Sequence, residues 1–469
     1  MTASVETRAE IVSGRRHEPG HRGHRPPGSR FVAGSVRRLV KESLFRNTAF
    51  LVMNVGFGAV CGFAALAMLT RFYSVEAIGL TTAAMSAGGL ISSFGQFGLN
   101  YTLPRFLPSS THRAALINTV VTVTTVSAAL GACLFLVLPP ATRLYALGGA
   151  VLIPVFIVST SLNAASAQLD NVFIADRRVQ NVTIATAVSS VTRLAAPAAF
   201  IFLGLAGAFV AQSTTAVVTF IVLVILLVRQ GDRLRPMVSL DATRELRRFS
   251  AGAYVGGQIG SLPAMLLPLI ILSRFGAGQN AYWYTAMAIA VQLNQLPGSV
   301  ARALLAEAAH RPAERRALIR RSCVLIGSVM GPVLVLAYFA APLGLAILGH
   351  RYSVASLTPL RWLILAGVMT SVNYVTGTIL YIAKKTLAIA VINAVDAVIV
   401  VGLAATLARN SADVAVYWLI GEAVQLVLFA AYAARSLRGV HGRWEALGDE
   451  RPAERTNEQP TEERCGACA

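Results

Sequence analysis

The run Ala49–Leu69, AFLVMNVGFGAVCGFAALAML, carries no charged side chain and is long enough to cross a bilayer as one helix. A second run, Ala251–Leu272, AGAYVGGQIGSLPAMLLPLIIL, repeats its outline. Lys41-Glu42 precedes the first and Arg244-Glu245 the second. Leu69-Thr70-Arg71-Phe72 closes the first and Leu272-Ser273-Arg274-Phe275 the second, and both pairs of markers lie 203 positions apart. Past them, Ala84-Met85 faces Ala286-Met287 after a slip of one residue. The order of apolar segments on either side agrees, and the chain reads as a duplicated half. Both runs are interrupted by helix-loosening residues: Gly56, Gly58 and Gly62 in the first, and Gly256, Gly257, Gly260, Pro263 and Pro268 in the second. Glycine and proline at matching places in two membrane repeats mark where a transporter bends and binds. Close helix packing through small residues is the other account of the glycines. Each proline removes a backbone donor, which points to bends at Pro263 and Pro268. Gly56, Gly58, Pro263 and Pro268 are thus the candidate hinges.

With 55% hydrophobic and 13% charged residues, the chain has too little polar material to cover a water-soluble globule of 469 residues. It is read as a membrane protein. The net charge of +19 does not indicate a nucleic-acid partner, because the basic residues are scattered through short connections and tails rather than gathered on one face. Cys61, Cys133 and Cys323 lie in apolar runs, where a thiol behaves as a small hydrophobe. Cys465 and Cys468 form a lone CxxC, and His17, His21 and His24 fall in a Pro/Gly/Arg-rich stretch. Neither group predicts a metal site or another cofactor.

Residues 1–30 are polar and rich in Arg, Gly and Pro, which predicts a disordered basic tail. From Phe31 to Phe45, apolar and basic residues alternate as in a short amphipathic helix lying on the inner membrane surface. Apolar segments of spanning length follow, six within 31–228 and six within 251–437, joined by a polar link at 229–250; residues 438–469 are read as a second disordered tail. The fold class is therefore an all-α polytopic membrane protein of about 12 transmembrane helices in two six-helix lobes. An even number of spans per half makes both halves enter the membrane in the same direction, related by a pseudo-twofold axis along its normal. With the N-terminus inside, the inner connections carry eighteen Lys and Arg, against six in the outer ones: Arg71, Arg143, Arg274, Arg351, Arg361 and Arg409. That asymmetry predicts a multi-pass membrane protein with both termini in the cytoplasm.

Enzyme readings fare badly. The longest outer connection, around Pro342 to Pro359, has no acidic residue to build a catalytic site. The only Lys followed by Ser or Thr is Lys385, and Lys384 rather than Gly precedes it, so there is no phosphate loop for an ATP-driven pump. A transporter driven by an ion gradient remains, and its useful residues are ionisable groups within the spans. Four stand out: Asp170, Arg193, Asp396 and Glu422. Arg193 is about eleven residues into its segment, roughly 17 Å along the helix and near mid-membrane. It either forms a buried pair with Asp170 on the preceding helix or serves an anion site in a wet cavity, the second being favoured at that depth. Asp396 and Glu422 stand on the last two spans at depths differing by roughly 5 Å. Facing each other, they make a candidate protonation pair for ion coupling; facing apart, they bond Asn393 and Gln425.

Gln168-Leu169-Asp170-Asn171-Val172-Phe173-Ile174-Ala175-Asp176-Arg177-Arg178, with Arg46-Asn47-Thr48 opening the first span and Leu99 to Pro108 closing the second, resembles the polysaccharide and O-antigen flippases. These belong to the multidrug, oligosaccharidyl-lipid and polysaccharide exporter superfamily, and the resemblance covers about Val36 to Leu437. It implies two six-helix lobes around a central V-shaped cavity that opens alternately to either side and moves lipid-linked oligosaccharide outward. It also implies that cavity charges meet the diphosphate and sugars, a role that would fall to Asp170 and Arg193. Polysaccharide polymerase or glycosyltransferases are the protein partners such a role implies. Two other functions compete: a drug or toxin exporter of the same fold, and a non-transporting membrane scaffold for glycan assembly. A scaffold leaves a mid-membrane arginine unexplained.

Overall fold

The computed structural model describes residues 43–99, 103, 106–110, 112–137, 149, 152–239, 258–310, 315–383 and 385–448. The tail at 1–30, the basic stretch up to residue 42, the link from 240 to 257 and the CxxC at Cys465 and Cys468 lie outside the described residues. Among the described residues the fold is all helical. The first half contributes α1 (Ser43–Phe72), α2 (Val75–Gly95), α3 (Arg113–Val137), α4 (Leu152–Ala175), α5 (Val179–Ala199) and α6 (Leu205–Val228). The second contributes α7 (Leu262–His310), α8 (Arg315–Leu348), the short α9 (His350–Ala355), α10 (Leu357–Ile382), α11 (Thr386–Thr406) and α12 (Ser411–Gly448). Among the described residues ten helices are long and apolar enough to cross a membrane. α1 contributes a shorter apolar part, Gly58–Phe72, and α7 is two limbs joined at Gly276, whose φ of 86° breaks the helix. The chain is thus a polytopic membrane protein with segments in the expected order.

The duplication is visible in the backbone. Tyr73 and Ser74 turn the chain between α1 and α2, and Gly276, 203 positions after Tyr73, turns it between the limbs of α7. The turn leaving α4 closes with Arg178 N donating to Phe173 O at 2.9 Å; the turn leaving α10 closes with Lys385 N donating to Leu380 O at 2.9 Å. Both turns lead into helices of 21 residues, α5 and α11. Ser74 starts α2 as an N-cap, its hydroxyl accepting from Ala77 N at 3.2 Å, with Glu76 in the first turn favouring the positive end of the helix.

Several boundaries differ from those expected. Pro263 stands in the first turn of α7, where a missing N–H costs nothing; the break lies just before it, at the Gly260–Ser261 turn. Pro268 is accommodated within the first limb, where the backbone angles stay helical. Gly56 and Gly58 lie within the helical span of α1; the surroundings of Gly56 are outside the described residues, and a Cβ on Gly58 would meet nothing. α12 continues to Gly448, into the part read as a disordered tail. Leu437, Val440, Trp444 and Leu447 recur there at helical spacing, which accounts for the extension.

The apolar core is continuous at one end and divided at the other. The largest cluster joins Leu69, Tyr73 and Ile78 of the first half to Ile271, Trp283, Leu345, Tyr352 and Leu360 of the second. At the opposite, basic end, the first half has its own cluster around Leu116, Leu169, Phe173 and Leu227, and the second has one around Leu380, Ile389 and Phe429. Burial at the joined end is close enough to bring backbones together: a Cβ on Gly79 would collide with the carbonyl of Ala277. On the outside, Val126, Leu130, Leu134 and Val137 form an exposed apolar stripe along α3, as a lipid-facing surface requires.

Candidate functional site

The second half encloses a cavity of about 500 Å³ walled by α7, α10, α11 and α12. Its apolar walls come from Met287, Leu363, Trp418 and Phe429, and its polar groups from Asn294, Gln295, Thr370, Asn373, Asn393, Asp396, Glu422 and Gln425. Residues near the Lys385 end of these helices, such as Tyr381, Ile389 and Phe429, share the lining, so the cavity runs from mid-helix toward the basic end.

Both acidic candidates line this one cavity. Asp396 is held against α12 at Gly421, where any Cβ would collide with its carboxylate, and Gly421 immediately precedes Glu422. Glu422 is anchored from α10: Asn373 Nδ2 donates to its Oε2 at 2.7 Å and to Gln425 Oε1 at 3.0 Å. Gln425 Nε2 in turn donates to Asn393 Oδ1 on α11 at 3.0 Å. An amide chain thus ties α10, α12 and α11 together beside the two carboxylates. Asn393 and Gln425 bond each other, not the two acids as the facing-apart arrangement required.

Three acceptor oxygens around the cavity are buried without a donor among the described residues: Asp396 Oδ1, Asn373 Oδ1 and Asn294 Oδ1. Leaving an acceptor buried and unpaired is costly. Among the described residues lining this cavity there is no Lys, Arg or His. An acceptor-rich site with two carboxylates and no basic side chain is suited to a proton or a hard cation. Among the described residues no group of three or more His, Cys, Asp or Glu is placed to hold a metal ion.

Arg193 and Asp170 are not brought together. The described ion pairs involve Arg113 with Asp176 and Asp232, and neither Arg193 nor Asp170 is among them. Arg193 is exposed on α5 and Asp170 is half-buried on α4, so the buried-pair alternative is overturned. Pro197 stands one turn beyond Arg193 within α5 and cannot donate to the Arg193 carbonyl, leaving a polar backbone group at the same level. The Pro197 carbonyl accepts from the Tyr73 hydroxyl at 2.8 Å, which ties the last turn of α5 to the α1–α2 turn.

An all-helical membrane bundle of two like halves, with a polar cavity inside one of them, is the build of a membrane transporter. The family model for polysaccharide biosynthesis proteins matches residues 44–305, more than half of the chain, and the chain belongs to that family. Its fold is that of the MOP superfamily. It is similar to a multidrug resistance MATE family transporter in an inward-facing conformation, with 14% identity, 82% of this chain and 96% of the other covered, and a TM-score of 0.63. The Vibrio cholerae MATE transporter VcmN is similar at 15% identity, with 85% and 99% covered and a TM-score of 0.56. A MATE family transporter in an outward-facing conformation is similar at 11% identity, with 84% and 94% covered and a TM-score of 0.52. No curated protein gives a significant sequence match. These solved structures are of transporters.

Proposed function

We propose that the protein is a flippase that moves a polyprenyl-diphosphate-linked oligosaccharide, a polysaccharide precursor, from the inner to the outer leaflet of a bacterial cell membrane by alternating access. The observation that carries this reading is the divided core: the halves share one apolar cluster at the Tyr73–Gly276 end and keep separate clusters at the basic end. Apolar cores that merge at one end and stay separate at the other, where Gln258 Nε2 donates to the Ser93 carbonyl at 3.1 Å between the halves, are read as one state of an alternating-access cycle. With the basic end and both termini in the cytoplasm, that state receives substrate from the inner leaflet. Membership of the polysaccharide biosynthesis family supports this class of cargo.

In this reading Arg193 offers a planar fork of donors to the diphosphate and Asp170 accepts from sugar hydroxyls. Asp396 and Glu422 take up the coupling proton or cation, and α1 and α7 bend at Gly56, Gly58, Pro263 and Pro268 as the lobes exchange ends. Glycosyltransferases and a polymerase act before and after it. Deleting the gene should deplete surface glycan and leave undecorated lipid-linked oligosaccharide on the inner leaflet. A second reading, an ion-coupled multidrug or toxin exporter, is favoured by the same acid-lined cavity, whose size suits a small cationic molecule. Unchanged surface glycan with heightened drug sensitivity would transfer the assignment to it.

A further inference from the structure

Past α6 the chain turns at Gly231, and residues 232–239 run back along α3 without forming a helix. Alternate backbone N–H groups of this segment donate to α3 side chains: Arg235 N to Asn118 Oδ1 at 2.9 Å, Met237 N to Thr122 Oγ1 at 3.3 Å, and Ser239 N to Thr119 Oγ1 at 2.9 Å. Period-two donation is the signature of an extended strand lying against the helix. Its start is clamped by Arg113, which bonds Asp232 at 3.1 Å while holding Asp176 at the end of α4 through two bonds of 2.7 and 2.6 Å. Leu234 packs on the Leu116–Leu227 cluster. The first third of the link between the halves is therefore a strap belonging to the first half.

Arg113 opens α3, and Asn118 to Thr122 lie roughly 8–14 Å further along it. The strap therefore reaches membrane depth. Non-helical backbone is tolerated there only where protein buries it or water lines it, and charged side chains at that depth require water or a partner. Arg233 and Arg235 are exposed, and neither guanidinium has an ion-pair partner among the described residues. We infer that the strap forms a wall of the water-filled mouth between the halves, where Arg233 and Arg235 recognise the diphosphate of an entering lipid carrier. The inference rests on the flippase reading, and it assigns the first contact with the substrate to the link rather than to a span. Two arginines offer paired, charge-assisted donors that match adjacent phosphates.

The same chemistry could serve the headgroups of anionic phospholipids, so the test has two arms. The full-length protein is placed in phosphatidylcholine nanodiscs and titrated with polyprenyl diphosphate, and separately in phosphatidylglycerol nanodiscs, where lipid retention is read by native mass spectrometry. Arg233→Gln with Arg235→Gln should weaken polyprenyl diphosphate binding by about tenfold or more, the loss expected for charged hydrogen bonds, without lowering Tm. Asn118→Leu with Thr122→Val, which frees the strap but keeps both arginines, should weaken it similarly. Unchanged diphosphate affinity in the double arginine variant would overturn the inference, as would a loss confined to phosphatidylglycerol retention. If the wild-type protein itself fails to bind polyprenyl diphosphate, the flippase reading fails instead.

Discussion

Asn280 donates from its fully buried Nδ2 to the carbonyl of Gly79 at 2.7 Å, a hydrogen bond that crosses from one half of the duplicated fold to the other. The same amide reaches Thr82 Oγ1 at 3.2 Å, and Gly79 has no room for a side chain against Ala277. The bond forms only while the halves are closed at this end, so it acts as a latch on the described state. Close by, a Cβ on Gly278 would lie 4.0 Å from Val75 Cγ1. Val75→Cys with Gly278→Cys, in a background without the native cysteines, should form a disulfide on oxidation. It should block transport, and reductant should restore it. Failure to cross-link under oxidation would show that the halves do not close here.

Opening the latch is a separate expectation. Gly79→Ala should push α2 from α7, because the new Cβ meets a backbone carbonyl rather than a flexible side chain. Spin-label distances across the Tyr73–Gly276 end should lengthen in this variant while the helix content stays constant. Unchanged distances would mean that the contact is not what holds this end shut.

Asp396 and Glu422 should act together in coupling. Two carboxylates in a cavity with no basic residue in its described lining must draw in a proton or a cation when closed off from water. Glu422→Gln or Asp396→Asn should therefore flatten the dependence of transport on pH or on the driving cation, while exchange down a substrate gradient continues. Wild-type dependence in both variants would make the pair structural.

Arg113→Ala leaves Asp176 and Asp232 without their shared partner. The pairs are partly exposed, so the loss falls between that of surface and buried bridges, about 1–3 kcal/mol in a denaturation series. Adding Asp176→Asn and Asp232→Asn should recover much of it, since no unpaired charge is then left.

Arg193→Ala should abolish glycan export at matched protein levels, and Arg193→Lys should impair it despite keeping the charge. Because Arg193 and Asp170 are not paired, adding Asp170→Ala should not rescue Arg193→Ala. Rescue would tie the two charges to each other in some other state of the protein.

The duplicated frame was legible in the sequence because long apolar runs and turn residues are local signals. Arg71-Phe72 and Arg274-Phe275 fall at equivalent turns, and the turn-closing bonds of Arg178 and Lys385 repeat. What a polar residue faces depends on helix rotation, which neighbouring helices set. Asp396 and Glu422 could therefore be named as a pair, but not Asn373, which joins Glu422 to Gln425 from α10. Asn294, Asn280 and Asn373 are uncharged amides within apolar spans, and such residues carry no local signal of the partners they find in the fold. Arg113 read as one more loop charge, since its pairing with Asp176 and Asp232 needs the ends of α3 and α4 and the strap to converge. The tail helix past Leu437 was missed because its charge masked a helical apolar spacing.

The central claim, transbilayer movement of a lipid-linked saccharide by lobes that close alternately, is tested most directly in proteoliposomes carrying polyprenyl-diphosphate oligosaccharide. Exposure of the glycan to an impermeant external glycosidase would be followed over time, with and without the Val75–Gly278 cross-link. The account predicts that reduced protein delivers glycan to the external enzyme and that cross-linked protein does not. Delivery no faster than in protein-free liposomes, or delivery unaffected by the cross-link, would contradict it.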